Sequence, residues 1–179
     1  VITVPAQFSE KQRKATLEAG RLAGLTVNHI INEPTAAALA FATQQDVSGK
    51  ILIYDLGGGT FDVTIAQVSG QNVDVLTSEG DPDLGGVDFD LKIAGMVDDA
   101  HKKQYGKTLK EALGINNEED ASRSEGWQDL LGAAEDAKKM LSKRAVSSIK
   151  YFGSPEGPII IDITQEAFEN EISGLIAKT

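Results

Sequence analysis

The chain has 179 residues, 41% of them apolar and 25% charged, which is typical of a globular protein of one domain or two small lobes. The formal net charge of -10 argues against a nucleic-acid-binding face, and no apolar run approaches the roughly 20 residues that cross a membrane. The absence of cysteine excludes disulfides and thiolate metal sites and favours a reducing compartment such as the cytoplasm.

The first 45 residues have the pattern strand, helix, strand, helix. Residues 1–4 are strand-like, and Ser9 followed by Gln12 is the capping box that begins a helix. A second strand is predicted at 27–31, and Pro34 suits the first turn of a second helix. The apolar side of the first helix is predicted to consist of Ala15, Leu17, Ala19, Leu22 and Ala23.

A three-stranded meander is predicted to follow. Residues 51–54 form a short apolar strand, and residues 61–65 alternate apolar and polar, the period of a half-buried strand with Asp62 and Thr64 on its polar side. A third strand is predicted at 73–77 and a loop at 78–86.

The remainder is predicted to be mostly helical. Helices are expected over 88–105 and 127–142, separated by a surface loop at 116–125. Strands at 146–152 and 159–163 flank a turn rich in Pro and Gly and should form a hairpin, after which Thr164 caps a final helix.

The clearest functional motif is the Asp-Leu-Gly-Gly-Gly-Thr run at 55–60. Gly57, Gly58 and Gly59 allow positive φ and close backbone approach, and their N–H groups can converge on a phosphate. Asp55 can hold Mg²⁺ through water, and Thr60 adds a hydroxyl. A hairpin turn without a ligand is the alternative, but it would need fewer glycines. We therefore predict a phosphate-binding turn.

Two further features could belong to the same phosphate site as this turn. Glu33 directly precedes the helix-starting Pro34 and could orient a water for attack on a γ-phosphate, the alternative being a helix N-cap. Gly85 and Gly86 precede a helix and could bring backbone close to ribose or phosphate, although a simple loop before a helix is the other interpretation.

One helix face could bind a nucleoside. Glu135, Lys138, Lys139 and Ser142 occupy positions i, i+3, i+4 and i+7, so they share a face. Two lysine stems could sandwich an adenine ring, and the carboxylate could accept from ribose hydroxyls. A solvated helix face is the alternative.

Five sequence blocks, in order and spacing, resemble the bacterial-type seventy-kilodalton heat-shock chaperones. The resemblance covers the whole chain and is most specific in the first half. The blocks are Val-Ile-Thr-Val-Pro-Ala at 1–6, Gly-Arg-Leu-Ala-Gly-Leu at 20–25, Ile-Asn-Glu-Pro-Thr-Ala-Ala-Ala at 31–38, Tyr-Asp-Leu-Gly-Gly-Gly-Thr-Phe-Asp at 54–62 and Leu-Gly-Gly-Val-Asp-Phe-Asp at 84–90.

The resemblance implies an α/β, actin-like ATPase (ribonuclease-H-like) fold, present in part. Residues 1–46 would be the end of lobe I. Residues 47–86 and 164–179 would be the base of lobe II, and residues 87–163 would be its upper subdomain, which binds exchange factors.

It also implies an ATP/ADP and Mg²⁺ site. Glu33 would be the catalytic carboxylate, Asp55 would act on Mg²⁺ and the attacking water, and Thr60 would complete the catalytic set. Residues 57–60 would hold the β- and γ-phosphates and residues 85–86 would lie beside the nucleotide. The adenosine-binding positions would be Glu135, Lys138, Lys139 and Ser142, with Lys139 in place of the usual Arg.

A relay to a substrate domain is implied as well. Pro5 and Arg13 match the family's coupling residues, whereas Gln7 replaces an aromatic residue often found nearby. The other phosphate turn, the catalytic lysine and the substrate domain would lie outside this chain. We therefore expect a fragment with weak or absent activity alone.

The implied parent is a cytoplasmic ATPase that assists protein folding in the stress response. Its partners would be unfolded clients, a J-domain co-chaperone and a nucleotide exchange factor. Two alternatives are open: a noncatalytic regulatory relative that works by partner binding, and a small-molecule kinase, for sugar or acetate, on the same fold.

Overall fold

The computed structural model describes residues 1–45, 47–70 and 72–179, and it is a mixed α/β structure of two compact units, Val1–Gly85 and Gly86–Thr179. Residue 46, where we predict the end of lobe I, lies outside the described residues. The first unit contains β1 (Ile2–Val4), α1 (Glu10–Leu22), β2 (Ile30–Asn32), α2 (Glu33–Gln44), β3 (Gly49–Leu56), β4 (Phe61–Ser69) and β5 (Asn72–Asp81).

Strands β1 and β2 pair in parallel, with Ile2 opposite Ile30. The predicted capping box is confirmed, because the Ser9 side chain accepts from the Gln12 N–H and the Gln12 side chain accepts from the Ser9 N–H. The predicted strand at 27–31 is wrong for residues 27–29. A strand needs a partner, and β1 offers one only to residues 30–32.

The predicted inward face of α1 is also wrong. Within α1 only Gly20 is buried, whereas Leu17 and Leu22 are 43% and 78% exposed. A Cβ at Gly20 would come within 3 Å of side-chain atoms of Ile2 and Val27, so the helix approaches the sheet through its smallest residue.

The second sheet is the predicted meander, antiparallel in the order β3-β4-β5. Pro34 lies in the first turn of α2, as predicted, and α2 packs on β4 and β5. Strand β5 runs on to Asp81, which pairs with Phe61, so the predicted loop at 78–86 is wrong for residues 78–81. The ladder extends because β4 offers partners along its whole length.

The second unit contains α3 (Gly86–Tyr105), α4 (Leu109–Ala112), α5 (Glu118–Arg123), α6 (Glu125–Leu141), β6 (Val146–Tyr151), β7 (Ile159–Thr164) and α7 (Gln165–Ile176). The hairpin and the Thr164 cap are confirmed. The loop predicted at 116–125 contains α5 instead. The Asn117 side chain caps this helix by accepting from the Asp120 N–H.

The core of the second unit lies between α3, α6 and the β6–β7 hairpin. Its side chains are almost fully buried: Ile93, Ala94, Val97, Leu130, Ala134, Ala137, Leu141, Ile149, Ile159 and Ile163. His101 is fully buried as well. Its Nδ1 lies 2.7 Å from the Lys107 carbonyl oxygen and its Nε2 2.7 Å from Ser154 Oγ, so it connects α3 to the segment that follows β6.

Candidate functional site

Three carboxylates meet in the first unit. Asp55 is the second-last residue of β3 and Asp62 the second residue of β4, and the two lie directly opposite each other in the antiparallel ladder, so their side chains share one face of the sheet. Glu33 is the first residue of α2, after the N-cap residue Asn32. Glu33 is therefore not itself the N-cap, which was the alternative interpretation from the sequence.

The electrostatics of these acids are unfavourable without a cation. Burial raises the pKa of Glu33, and the negative charges of Asp55 and then Asp62 raise it further. Burial also raises the pKa of Asp62, and Asp55 adds to the effect. Asp62 is only 3% exposed, and its Oδ1 has no hydrogen-bond partner. An unpartnered buried oxygen beside two other carboxylates is a place where a cation or a donor is expected to bind.

Asp62 was not predicted as a site residue. Its alternating strand indicated a half-buried β4 with Asp62 and Thr64 on the polar side, yet both are buried, at 3% and 0% exposure. The Thr64 hydroxyl is paired with the Ser78 hydroxyl at 2.8 Å. The signal available in the sequence was the position of Asp62 two residues after Thr60, opposite Asp55 in any tight hairpin.

The turn between β3 and β4 has the predicted position but not the predicted conformation. The Gly57 N–H donates to the Thr60 carbonyl at 2.8 Å, which closes the turn. The prediction of positive φ is wrong, because none of Gly57, Gly58 and Gly59 lies in the left-handed region. A Cβ at Gly58 or Gly59 would meet no atom within 4 Å. Folding alone therefore does not require glycine at these two positions.

Gly85 packs against this turn. A Cβ at Gly85 would lie 2.4 Å from the Gly59 nitrogen and 2.5 Å from the Gly58 carbonyl oxygen. Gly85 therefore lies directly against the backbone of the turn, and any side chain there would push the turn away.

Arg13 connects the predicted relay to the acid cluster. Its Nη2 donates to the Ala6 carbonyl at 3.1 Å and to Asn32 Oδ1 at 2.8 Å, and its Nε donates to the Phe8 carbonyl at 3.1 Å. The loop after Pro5 is thereby tied to the residue that precedes Glu33. The coupling role of Pro5 and Arg13 stays a prediction.

The predicted nucleoside residues in the second unit have two different environments. Glu135 and Lys139 are exposed and form an ion pair at 2.8 Å. Lys138 instead points to α3, where its Nζ donates to Asp90 Oδ2 at 2.9 Å and to the Gly86 carbonyl at 3.0 Å. Ser142 is the C-cap residue of α6. The Lys138 ammonium therefore contacts Gly86 on α3, whereas the Lys139 ammonium pairs with Glu135 on the same helix.

Direct metal binding by protein alone is not indicated. Among residues 1–45, 47–70 and 72–179 no group of three or more His, Cys, Asp or Glu side chains has the arrangement to hold a metal ion. In the same part of the chain, none of the helices has the length and apolar content to span a bilayer.

An acid cluster on either side of a glycine-rich turn is typical of proteins that bind phosphate together with a divalent cation. Comparison with known proteins identifies the family of the chain. The family model described as Hsp70 protein matches residues 1–179. The chaperone protein dnaK of Cyanidium caldarium is 43% identical over 183 residues, covering 99% of this chain and 28% of that protein.

The chain therefore belongs to the Hsp70 family, whose nucleotide-binding domain has the actin-like ATPase fold. It spans 28% of the length of the curated relative that it matches. The resemblance found in the sequence blocks is thus confirmed, and so is the fold class.

The contact of Gly85 with the turn predicts a large difference between two alanine substitutions. Gly85→Ala should lower the free energy of unfolding by about 1–3 kcal/mol, because the methyl group overlaps the backbone of Gly58 and Gly59. Gly58→Ala is the matched control and should change it by less than about 0.5 kcal/mol. Urea denaturation followed by circular dichroism measures both, and equal effects would contradict the contact.

The raised pKa values of Glu33 and Asp62 predict a pH dependence. The unfolded chain releases these protons first, near pH 4, while the folded chain retains them. Stability of the first unit should therefore fall as pH rises from about 4 through the raised pKa values. Asp55→Asn should reduce this loss of stability, because it removes the negative charge that, after burial, raises the pKa of both Glu33 and Asp62.

Hydrogen exchange of the β4 amides between pH 4.5 and 7 measures this effect within the first unit, after correction for the intrinsic pH dependence of exchange. Asp74→Asn, at an exposed aspartate of β5, is the control and should leave the slope unchanged. Equal slopes in Asp55→Asn and the parent chain would show that the three acids do not interact.

Proposed function

We propose that this chain is part of the ATP-binding and ATP-hydrolysing module of a molecular chaperone. The observation that carries the proposal is the cluster of Glu33, Asp55 and Asp62, with an unpartnered buried oxygen, on either side of the glycine turn. Family membership and the name of the relative support the chaperone role.

Phosphate would bind at the turn. A Cβ at Gly58 or Gly59 would meet no atom within 4 Å, so phosphate oxygens would have room to approach the backbone of these two residues. The Gly57 N–H is already bonded to the Thr60 carbonyl and would hold the turn closed. Thr60 supplies a hydroxyl at the same turn. Gly85 would keep this backbone in place by its close approach to Gly58 and Gly59.

The cation would be Mg²⁺, held by Asp55 through water. Mg²⁺ stabilises the negative charge of transferring phosphoryl oxygens when it is bound. Its charge would also lower the pKa of Glu33 and Asp62, opposing the effect of burial. Nucleotide binding would therefore relieve the repulsion among the three acids.

Glu33 would orient and deprotonate the attacking water. A general base works best with a pKa near the working pH. Burial and then two negative neighbours raise the pKa of Glu33 in that direction in the chain without Mg²⁺, and burial would continue to do so when the cation is bound. Pro34, buried in the first turn of α2, fixes the backbone that carries the carboxylate.

The adenosine would bind in the second unit. The exposed pair of Glu135 and Lys139, with Ser142 one turn on, offers a carboxylate for ribose hydroxyls and an aliphatic stem for the ring. The backbone of Gly85 and Gly86 would lie beside the nucleotide. Lys139 would stack on adenine less strongly than the family's usual arginine.

The remaining assignments follow from the resemblance. Residues 87–163 would bind a nucleotide exchange factor, Pro5 and Arg13 would act in the relay to a substrate domain, and a J-domain protein and unfolded clients would be partners of the whole protein. We propose a cytoplasmic location and the division into lobe I, the base of lobe II and its upper subdomain. Membership of the Hsp70 family argues against the small-molecule kinase alternative.

A substitution at Glu33 tests hydrolysis separately from binding. Glu33→Gln should lower the single-turnover rate of MgATP hydrolysis by about 10²–10⁴-fold, the usual contribution of a general base. The affinity for MgADP should change by less than about threefold, because the glycine turn and Asp55 are intact. The measurement follows radiolabelled phosphate release at saturating enzyme.

The rate of the parent chain will be low if the chain supplies only part of the phosphate site, so the parent sequence and Glu33→Gln are also compared within the full-length protein. Equal hydrolysis rates of the two full-length proteins would contradict the catalytic role and favour a noncatalytic relative that acts by partner binding.

A further inference from the structure

Lys138 differs from the other residues of the proposed adenosine face in where its charge lies. Its side chain is 21% exposed, compared with 62% for Lys139 on the next position of the helix. The ammonium contacts Asp90, with Nζ 2.7 Å from Oδ1 and 2.9 Å from Oδ2. It also donates to the Gly86 carbonyl at 3.0 Å. The ammonium is thus held within its own unit by two hydrogen bonds and by a close ionic contact with Oδ1, which accepts no hydrogen bond.

Asp90 needs this cation. Its side chain is 11% exposed and lies in the second turn of α3, packed towards α6. Burial raises the pKa of Asp90, and the hydrogen bond and charge of Lys138 oppose that rise. If Lys138 turned its ammonium to a ligand, Asp90 would remain as a buried charge without a partner, which is strongly unfavourable.

The contact with Gly86 gives the pair a structural consequence. Gly86 is the first residue of α3, and its carbonyl is the acceptor for the Asp90 N–H within the helix. Lys138 therefore contacts the carbonyl of residue 86, where α3 begins, and the carboxylate of residue 90, one turn further along the helix. It fixes that turn against α6.

We propose that Lys138 is a positioning residue for the nucleoside, acting through Gly86 and Asp90 rather than by offering its charge to the ligand. Lys138, Asp90 and Gly86 form a clamp, which we call the α3–α6 clamp. It sets the glycine backbone and the α6 face in one geometry before an adenine nucleotide arrives. The inference rests on the proposed nucleotide site, and it identifies Asp90 as a further residue on which adenosine affinity depends.

The free chain provides the first readout. Amides of residues 90–93 bond to the carbonyls of the first turn of α3, so their hydrogen exchange reports the clamp without any nucleotide. Lys138→Met, which keeps the stem and removes the charge, should accelerate their exchange about tenfold. Asp90→Asn should do the same, and Lys138→Arg should stay within about threefold of the parent chain. Lys103→Met, at an exposed lysine in the last turn of α3, is the control and should change nothing.

Calorimetric titration with MgADP provides the second readout. A positioning role predicts that Asp90→Asn weakens binding as much as Lys138→Met, about tenfold, although Asp90 is outside the proposed adenosine face. A direct role of the ammonium predicts a loss in Lys138→Met alone. Loss of affinity in Lys138→Met without faster exchange at residues 90–93 would overturn the proposal.

The two readouts separate this proposal from the one it rests on. The same titration is run on the full-length protein that contains this sequence. If neither the parent chain nor the full-length protein binds MgADP, the proposed function fails and the nucleoside role of the clamp fails with it. Unchanged exchange in both Lys138→Met and Asp90→Asn, with MgADP binding intact, would overturn the clamp alone. Should Lys138→Met not fold, the near-isosteric Asp90→Asn gives the same two measurements.

Discussion

The repulsion among Glu33, Asp55 and Asp62 is the constraint on which the first unit depends. Antiparallel pairing places Asp55 opposite Asp62, and α2 brings Glu33 to the same region. Like charges directly opposite each other destabilise a sheet, and partial burial makes the repulsion stronger. The fold tolerates this because the surrounding backbone is fixed by the β3–β4–β5 ladder and by the packing of α2. Such stored repulsion is expected where a cation completes the site.

The three acids also explain why the turn between β3 and β4 is rich in glycine. The acids on both strands of the hairpin would repel a polyanion, whereas the turn between them can offer backbone donors. Such donors suit a chain with a net charge of -10. Gly85 lies so close to this backbone that a Cβ at its position would overlap Gly58 and Gly59, so no other residue fits there. In the second unit the α3–α6 clamp has a role comparable to that of Gly85, because its ion pair fixes the start of α3.

Local signals predicted most elements, and long-range packing explains the errors. The Ser9 capping box, Pro34, the β6–β7 hairpin and the Thr164 cap are signalled within a few residues, and each is present. Asp62 was missed because the alternating pattern of β4 does not reveal that α2 packs on this strand or that Asp62 is buried. The outward side chains of α1 were missed because apolar spacing does not tell how closely a helix approaches its sheet. The contact of Lys138 with Asp90, 48 positions apart, has no local signal.

Calorimetric titration with MgADP, comparing the parent chain with Asp55→Asn and the exposed control Asp74→Asn, tests the central claim most directly. If the acids and the turn form a cation-assisted phosphate site, Asp55→Asn should weaken MgADP binding about tenfold or more, and Asp74→Asn should not. The difference between the parent chain and Asp55→Asn should disappear when ADP is titrated without Mg²⁺. MgADP binding of equal strength in the parent chain and Asp55→Asn would contradict the account.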